Sequence, residues 1–357
     1  MAGPDSPQLF RRLRRTFRLF TIACAVGYPA ALAAIALAFR FVGERWWVTL
    51  AAMYLPRLGF ALPLPLIVGL VYWVRVPRRY LVLQAVSLLL VVVPLMGFNP
   101  GIGRLMARAS GPSLRVMSFN VSFGRPGMAS VIEQAQAFGA DTVLLQDAKA
   151  RFADELRNGF QGWNLRVDGE FVLATRHRLR NVFVPPDLTY PQGKGGAHYV
   201  HYTLETPLGL ADVFNVHPTT PRPGLEEVRG NGLREEIVSG RLLAGKASGA
   251  VEWNAFRRTR QVAGIAERAN ACTNAVIIAG DTNLPGLSWI FSEHLGRYRD
   301  AFSLAGAGFG YTFPAHRPWM RIDRILVNDR LRPVEFRTGA ATKSDHRSVF
   351  AALAPAR

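Results

Sequence analysis

Eight residues able to bind a metal or carry out hydrolysis fall where apolar runs end: Asn120, Asp147, His217, Asp281, Asn283, Asp323, Asp345 and His346. The most compact instance is Ala275-Val-Ile-Ile-Ala-Gly-Asp-Thr-Asn283. A short unbroken apolar run closed by a turn signal predicts a fully buried strand, and Gly280 permits a tight turn at its end. Asp281 and Asn283 then emerge on a rim, facing the same way. A carboxylate and a carboxamide fixed there suit a divalent cation, a phosphate oxygen or an attacking water. Singly, each residue has a plainer reading. Asp281-Thr-Asn283 could be an Asx turn, Asp323 an ion-pair partner of Arg321 or Arg324, and Ser344-Asp345 a helix cap. Their joint occurrence is what points to chemistry. The oxygen-rich set suits Mg²⁺, with Mn²⁺ as a substitute, because such an ion takes one or two carboxylates, keeps waters and binds substrate phosphate. No Cys/His pairs stand at zinc spacing, which disfavours zinc. The histidines can bond phosphate oxygens or move protons near neutral pH.

The elements that position these groups follow from hydrophobic period. Strands are predicted at Leu114–Val121, Thr142–Asp147, Phe171–Arg176, Ala197–Leu204, Leu210–His217, Met320–Val327 and Ser348–Leu353, beside the run that ends in Asp281. Met128–Phe138 has helical spacing and stops at Gly139, and Phe256–Ala269 is an amphipathic helix. Leu225–Ser248, with Arg229, Arg234 and Arg241, is a loop and exposed helix. Strands interspersed with helices make the class α/β or α+β. Functional residues at so many strand ends imply one polar rim over a packed core.

The charge and apolarity are unevenly spread. Residues 1–112 hold 13 arginines against Asp5 and Glu44, a net of +11 out of +18 for all 357 residues. Within them, Leu19–Ala38, Leu58–Val74 and Tyr80–Phe98 are uncharged runs of about the length that crosses a bilayer core. Three transmembrane helices are therefore expected in an anchor over 1–100, with Trp46–Leu55, too short to span, lying in the membrane interface. A linker at 101–113 leads to a globular domain over 114–357. The first run is too long for a cleavable signal peptide and has no clean small-x-small site after it. Arg11, Arg12, Arg14, Arg15, Arg18, Arg75, Arg78 and Arg79 outnumber Arg40, Arg45, Arg57, Arg104, Arg108 and Arg115 on the opposite side. The positive-inside rule then gives a cytoplasmic N-terminus and an extracytoplasmic domain on a multi-pass plasma-membrane protein. Cys24 and Cys272 cannot pair, so no disulfide framework is expected.

In this order, Ser-Phe-Asn120, Leu-Leu-Gln-Asp147, Asn-Val-His217, Gly-Asp281-Thr-Asn283, Arg-Ile-Asp323 and Ser-Asp345-His346 resemble the endonuclease/exonuclease/phosphatase superfamily. The resemblance covers about residues 113–354. It implies a four-layer α/β sandwich, two packed mixed β-sheets flanked by helices, and metal-dependent phosphohydrolysis. Carried over by motif, Asp147 matches the metal-binding acid, with Asn120 and Asp345 on the metal side. Asp281 and Asn283 match the pair that orients or deprotonates water and contacts phosphate. His346, with Asp323 as carboxylate partner, matches the histidine on the scissile phosphate. His217 matches the second active-site histidine, with Glu170 a support for it. The family has glutamate where this chain has Asp147. One methylene less withdraws the carboxylate by about a bond length, while Mg²⁺ requires ligands at roughly 2.0–2.1 Å. An inactive, headgroup-binding relative is thus one alternative.

The anchor narrows the substrate. Apolar spans before such a domain are similar to the membrane-bound bacterial branch that includes teicoplanin-resistance proteins. That implies hydrolysis of a polyprenyl carrier diphosphate, of undecaprenyl type, or of a related phospholipid at the outer membrane face. Arg222 and Arg229 would hold a diphosphate or anionic headgroups; a solvated basic helix is the plainer reading. A metal-dependent endonuclease or phosphodiesterase is the other enzyme reading, since net positive charge suits nucleic acid as well. No protein partner is predicted.

Overall fold

The computed structural model describes residues 6–106, 111–229 and 246–356. From residue 114 on, the strands in chain order are β1 (Leu114–Asn120), β2 (Thr142–Gln146), β3 (Asn164–Asp168), β4 (Phe171–Thr175), β5 (Arg178–Phe183), β6 (Leu188–Tyr190) and β7 (Gly193–Gly195). They continue as β8 (Tyr199–Thr206), β9 (Gly209–Val216), β10 (Ala275–Asp281), β11 (Arg299–Asp300), β12 (Asp323–Val327), β13 (Leu331–Thr338) and β14 (Val349–Pro355). One sheet runs β13-β14-β1-β2-β4-β3, the other β11-β12-β10-β9-β8-β5, and β6-β7 form a separate hairpin.

Each large sheet has one parallel pair, β1–β2 or β9–β10, with antiparallel neighbours on both sides. This arrangement makes the rim. The parallel strands end on the same edge at which their antiparallel neighbours begin. Asn120, Asp147, His217 and Asp281 leave the ends of β1, β2, β9 and β10, whereas Glu170, His198, Asp323 and His346 precede or open β4, β8, β12 and β14.

The inward faces of the sheets meet in a dry core that includes Val116, Leu144 and Leu173 from one side and Val213, Ile277 and Ile325 from the other. Helices Met128–Phe138 and Ala153–Gly159 cover the first sheet through Val131, Ala135 and Leu156. Helix Lys246–Asn270, longer at both ends than expected, covers the second through Val262, Ile265 and Ala269. These four layers are the expected sandwich. Burial of such side chains contributes about 1.5–3 kcal/mol each, so the rim rests on a rigid base. Gly280 is needed where β10 closes on β9: its φ is +152°, and a Cβ there would lie 2.0 Å from the carbonyl oxygen of Val216. β3, β5, β6, β7, β11 and β13 lie outside the expected strands; β3 and β5 have only partly buried or exposed faces.

In the N-terminal part, helix Ser6–Phe41 contains the first expected span. From Phe10 to Phe41 it runs 32 residues, and its most apolar 18-residue stretch has mean hydropathy 2.1 with only 22% of that stretch buried. The other two expected spans fall on shorter pieces. The helical stretch Arg57–Trp73, of which Pro63–Trp73 is the 11-residue α-helical part, is bent by 95° from the helix Trp47–Met53 that precedes it. Arg79–Leu95 is apolar but shorter than a spanning helix. Among the described residues, one helix can by length and composition cross a membrane, or two if the bent pair counts as one. Trp46–Leu55 departs from the expected interfacial placement: Trp47, Leu50, Met53 and Tyr54 share a core with Val251, Ala255, Met320 and Ile322 of the globular domain. Just before the expected linker, Asn99 pairs with Gly308 and donates to the Phe302 carbonyl at 2.8 Å.

Candidate active site

The rim brings together eight of the ten site residues expected from sequence, and a ninth, Arg222, reaches its edge. Register does part of this. Asp281 and Asp323 are directly opposed across β10 and β12, and Asn120 projects from the adjoining sheet to donate from Nδ2 to Asp281 Oδ2 at 3.0 Å. Asn283 N donates to Asp281 Oδ1 at 2.8 Å, so both carboxylate oxygens are held. Asn283 itself lies in the left-handed region with φ 50° and donates from Nδ2 to the Pro218 carbonyl at 2.9 Å. Asparagine tolerates that conformation better than most residues.

Two histidines flank Asp281 symmetrically, each with Nε2 at 3.6 Å from Oδ2. Each is oriented from behind by a carboxylate. His346 Nδ1 faces Asp323 at 3.0 and 3.2 Å, and His217 Nδ1 faces Glu170 at 3.1 Å. Such a partner fixes which ring nitrogen carries the proton toward the site. Glu170 serves a second imidazole as well, His198 Nδ1 at 3.2 Å. His198 was absent from the sequence reading. Its one available signal is its place just before β8, on the edge from which the other site residues emerge.

Burial and charge set the protonation. Burial opposes the charged form of His346, yet Asp323 and Asp281 outweigh it and lift the pKa to about 9. Burial likewise raises Asp323 above the usual carboxylate range, partly offset by His346. His217 moves upward against its burial because Glu170, Asp281 and Asp147 favour the imidazolium. Glu170 is drawn down to about 2: burial works against ionisation, but the hydrogen bonds from His198 and His217 prevail.

The metal side is formed by the other acids. Asp147 lies just beyond β2 with φ 53°, and its carbonyl accepts from Phe123 N at 2.9 Å. Burial raises its pKa, and Glu170 and Asp345 add to the rise. Asp345 Oδ1 accepts from the Ser122 hydroxyl, and Oδ2 lies 3.4 Å from Arg222 Nη2. Against burial, these contacts and His346 bring Asp345 below its ordinary range. Asn120 differs from a plain ligand, because its Oδ1 already accepts from Ser122 N at 3.0 Å and its amide group faces Asp281. A hard divalent cation fits this donor set. Asp147 is a partly desolvated carboxylate whose charge neighbouring acids disfavour, and a cation would relieve it. Asp281, Asp323 and His346 also converge, with ligand atoms within 4.8 Å of one another. Those atoms are engaged with one another and with Asn120, which marks them as a proton-handling group first.

Of the two expected substrate-binding arginines, Arg222 opens helix Arg222–Arg229, exposes 58% of its side chain and stands 6.0 Å over the Phe313 ring. The Phe313 ring in turn packs on His346 at 5.0 Å. The Arg229 side chain, like Arg234 and Arg241, lies outside the described residues.

Similar folds are known. The endonuclease/exonuclease/phosphatase from Beutenbergia cavernae is 17% identical, with 69% of this chain and 72% of that one covered and a TM-score of 0.49. For the endonuclease/exonuclease/phosphatase of Bacteroides vulgatus the values are 16%, 69%, 100% and 0.47. For a mannosyl-6-phosphatase of Bacteroides thetaiotaomicron they are 14%, 68%, 100% and 0.45. No curated protein matches the chain. The model of the Endonuclease/Exonuclease/phosphatase family matches residues 117–346, which runs from within β1 to His346 and includes every rim residue described above. The chain belongs to that family and, with it, to the metal-dependent hydrolases of phosphoric esters and anhydrides.

Proposed function

We propose that the chain is a membrane-anchored, Mg²⁺-dependent phosphohydrolase acting on a lipid-carrier diphosphate of undecaprenyl type. In this reading it is a multi-pass plasma-membrane protein with its catalytic domain on the extracytoplasmic side. The observation that carries the reading is the position of the site beside the apolar helices. Phe313, which packs on His346, and its neighbours Trp319, Met320 and Ile322 share one core with Leu32, Phe39, Trp47 and Leu95 of the anchor. Large apolar side chains remain exposed on the neighbouring segment 62–73, among them Leu62, Leu66 and Trp73, each more than 70% accessible. Exposed apolar side chains in such number favour a lipid environment. A phosphate group at the bilayer surface would then lie within reach of the rim.

A cation held by Asp147 and Asp345, with Asn120 beside them, would polarise a phosphoryl oxygen and offset the charge of the in-line transition state. The chain's own groups would do the rest. Asp281, held through both oxygens, orients the attacking water and draws its proton. His217 and His346, protonated through Glu170 and Asp323, donate from Nε2 to the phosphoryl oxygens as charge builds on them. Asn283 fixes the turn that presents Asp281. Arg222 stands ready for a second phosphate, at the cost of its loose contact with Asp345.

The test assays full-length protein in detergent with Mg²⁺ on a polyprenyl diphosphate and a DNA duplex in parallel. Phosphate release from the lipid alone supports the reading. DNA cleavage alone makes the chain a nuclease, and silence on both with no metal bound makes it a headgroup-binding relative.

A further inference from the structure

Three polar side chains of the anchor reach into the segment that carries the catalytic turn. The Tyr54 hydroxyl donates to the Asn283 carbonyl at 2.7 Å. Arg57 donates to the carbonyls of Gly286 at 2.8 Å and Leu95 at 2.6 Å, clamping the turn to the last anchor helix. The Glu44 carboxylate accepts from Ser288 Oγ at 2.5 Å, Trp289 N at 2.9 Å and Ile290 N at 3.3 Å. All three are buried, with exposures of 9%, 4% and 4%. Polar groups within an apolar segment cost free energy unless they are paired, and these are paired to residues 283–290.

Tyr54 has the shortest path to chemistry. Asn283 is left-handed, and its carbonyl is the atom that Tyr54 holds. That carbonyl belongs to the Asn283–Leu284 peptide, and reorienting it changes ψ at Asn283, the residue whose N bonds Asp281 Oδ1 and whose Nδ2 bonds the Pro218 carbonyl next to His217. The Tyr54 ring has a second neighbour. The Arg258 guanidinium, fully buried, stands 5.8 Å from the ring, and none of its nitrogens has a hydrogen-bond partner among the described residues. On either side of it along the same helix, Asn254 and Gln261 bond the Thr219–Thr220 loop that follows His217. Tyr54 thus stands between a desolvated cation and the turn that bears Asp281 and Asn283.

We propose that Tyr54 is a positioning residue for the hydrolytic step, so that the anchor is a structural part of the active centre as well as a tether. The inference rests on Asp281 and Asn283 being the water-handling pair. It is independent of which phosphate is cleaved.

The experiment uses the full chain in detergent with Mg²⁺ and bis(4-nitrophenyl) phosphate, a chromogenic ester that needs no lipid. Tyr54→Phe keeps the ring over Arg258 and removes only the hydroxyl. Expected is a roughly tenfold lower kcat per folded molecule, the size of one lost buried hydrogen bond. KM and the Mg²⁺ concentration for half activity should stay within about twofold, because uniform binding is untouched. Adding Tyr54→Phe to Asn283→Ala should lower kcat no further than Asn283→Ala alone, since groups acting through one another are not additive. Wild-type kcat in Tyr54→Phe, or losses that multiply in the double variant, would overturn the inference. If wild type cleaves the ester but no lipid diphosphate, the substrate reading fails and this one stands. If Asp281→Ala or the wild type shows the chemistry to lie elsewhere, both fail.

Discussion

Glu170→Gln isolates the carboxylate that holds two imidazoles. Glutamine has the same length, but it offers one acceptor and one donor where Glu170 accepts from both His198 and His217. One ring must lose its partner or change tautomer. The displacement of Glu170 from 4.5 to about 2 corresponds to roughly 3 kcal/mol at 1.36 kcal/mol per unit. Its side chain is 31% exposed, so screening by solvent reduces this to about 1.5–2 kcal/mol. If half to all of that acts on His217, kcat should fall about 4- to 30-fold. The sign of the pH dependence follows from both partners. Glu170, depressed on folding, contributes stability that is complete above its unfolded value near 4.5 and is lost as pH falls toward 2. His217, raised on folding, contributes stability that is complete below 6.5 and is lost as pH rises through its higher folded value. The stability gap between wild type and Glu170→Gln, measured by denaturant titration of the metal-free protein, should therefore be widest between about pH 5 and 6.5. A gap that stays flat from pH 3 to 9, or an unchanged kcat, would refute the orienting role.

Asp147→Ala should raise the Mg²⁺ concentration for half-maximal activity by at least about tenfold, as read from metal titrations of activity; an unchanged requirement would remove Asp147 from the metal side. Asp300 bonds Arg321 and the 3%-exposed Arg324 and caps the helix Ala301–Ala305 through Phe302 N. Asp300→Asn leaves two guanidinium groups unmatched and should cost about 3–5 kcal/mol, seen as a lower denaturation midpoint. The same contribution should vanish in acid, because Asp300, despite its burial, is held below the usual carboxylate range by Arg321 and Arg324. Gly280→Ala should prevent stable folding, since the new Cβ would meet the Val216 carbonyl at 2.0 Å between two paired strands; normal expression and melting would contradict that contact.

What could be seen in the sequence depended on how local the signal was. Unbroken apolar runs such as Val276–Ala279 and Val143–Leu145 announce buried strands, and the polar residue at each end announces the rim. That combination placed Asn120, Asp147, His217, Asp281, Asn283, Asp323, Asp345 and His346 at one site. His198 and Ser122 carry no such mark. They join the site through strand pairing and a turn with φ values of 57° and 44°, which neither period nor spacing encodes. The N-terminal hundred residues are less legible for the same reason. Nothing local to Arg57 signals that it is 4% exposed and occupied with three carbonyls. Trp46–Leu55 looked interfacial because it is apolar and short; its partners are some 230 residues further along the chain. Pro56 lies at the break between Trp47–Met53 and Arg57–Trp73, so hydropathy alone overestimates the number of straight spans.

The most direct measurement is inorganic phosphate release from a polyprenyl diphosphate by wild type and Asp281→Ala, each titrated with Mg²⁺ in the same detergent. Release that rises with Mg²⁺ in wild type, and falls by a factor of at least about a thousand in Asp281→Ala, is the expected result. Equal release by the two proteins, or release indifferent to the metal, would contradict hydrolysis at this rim.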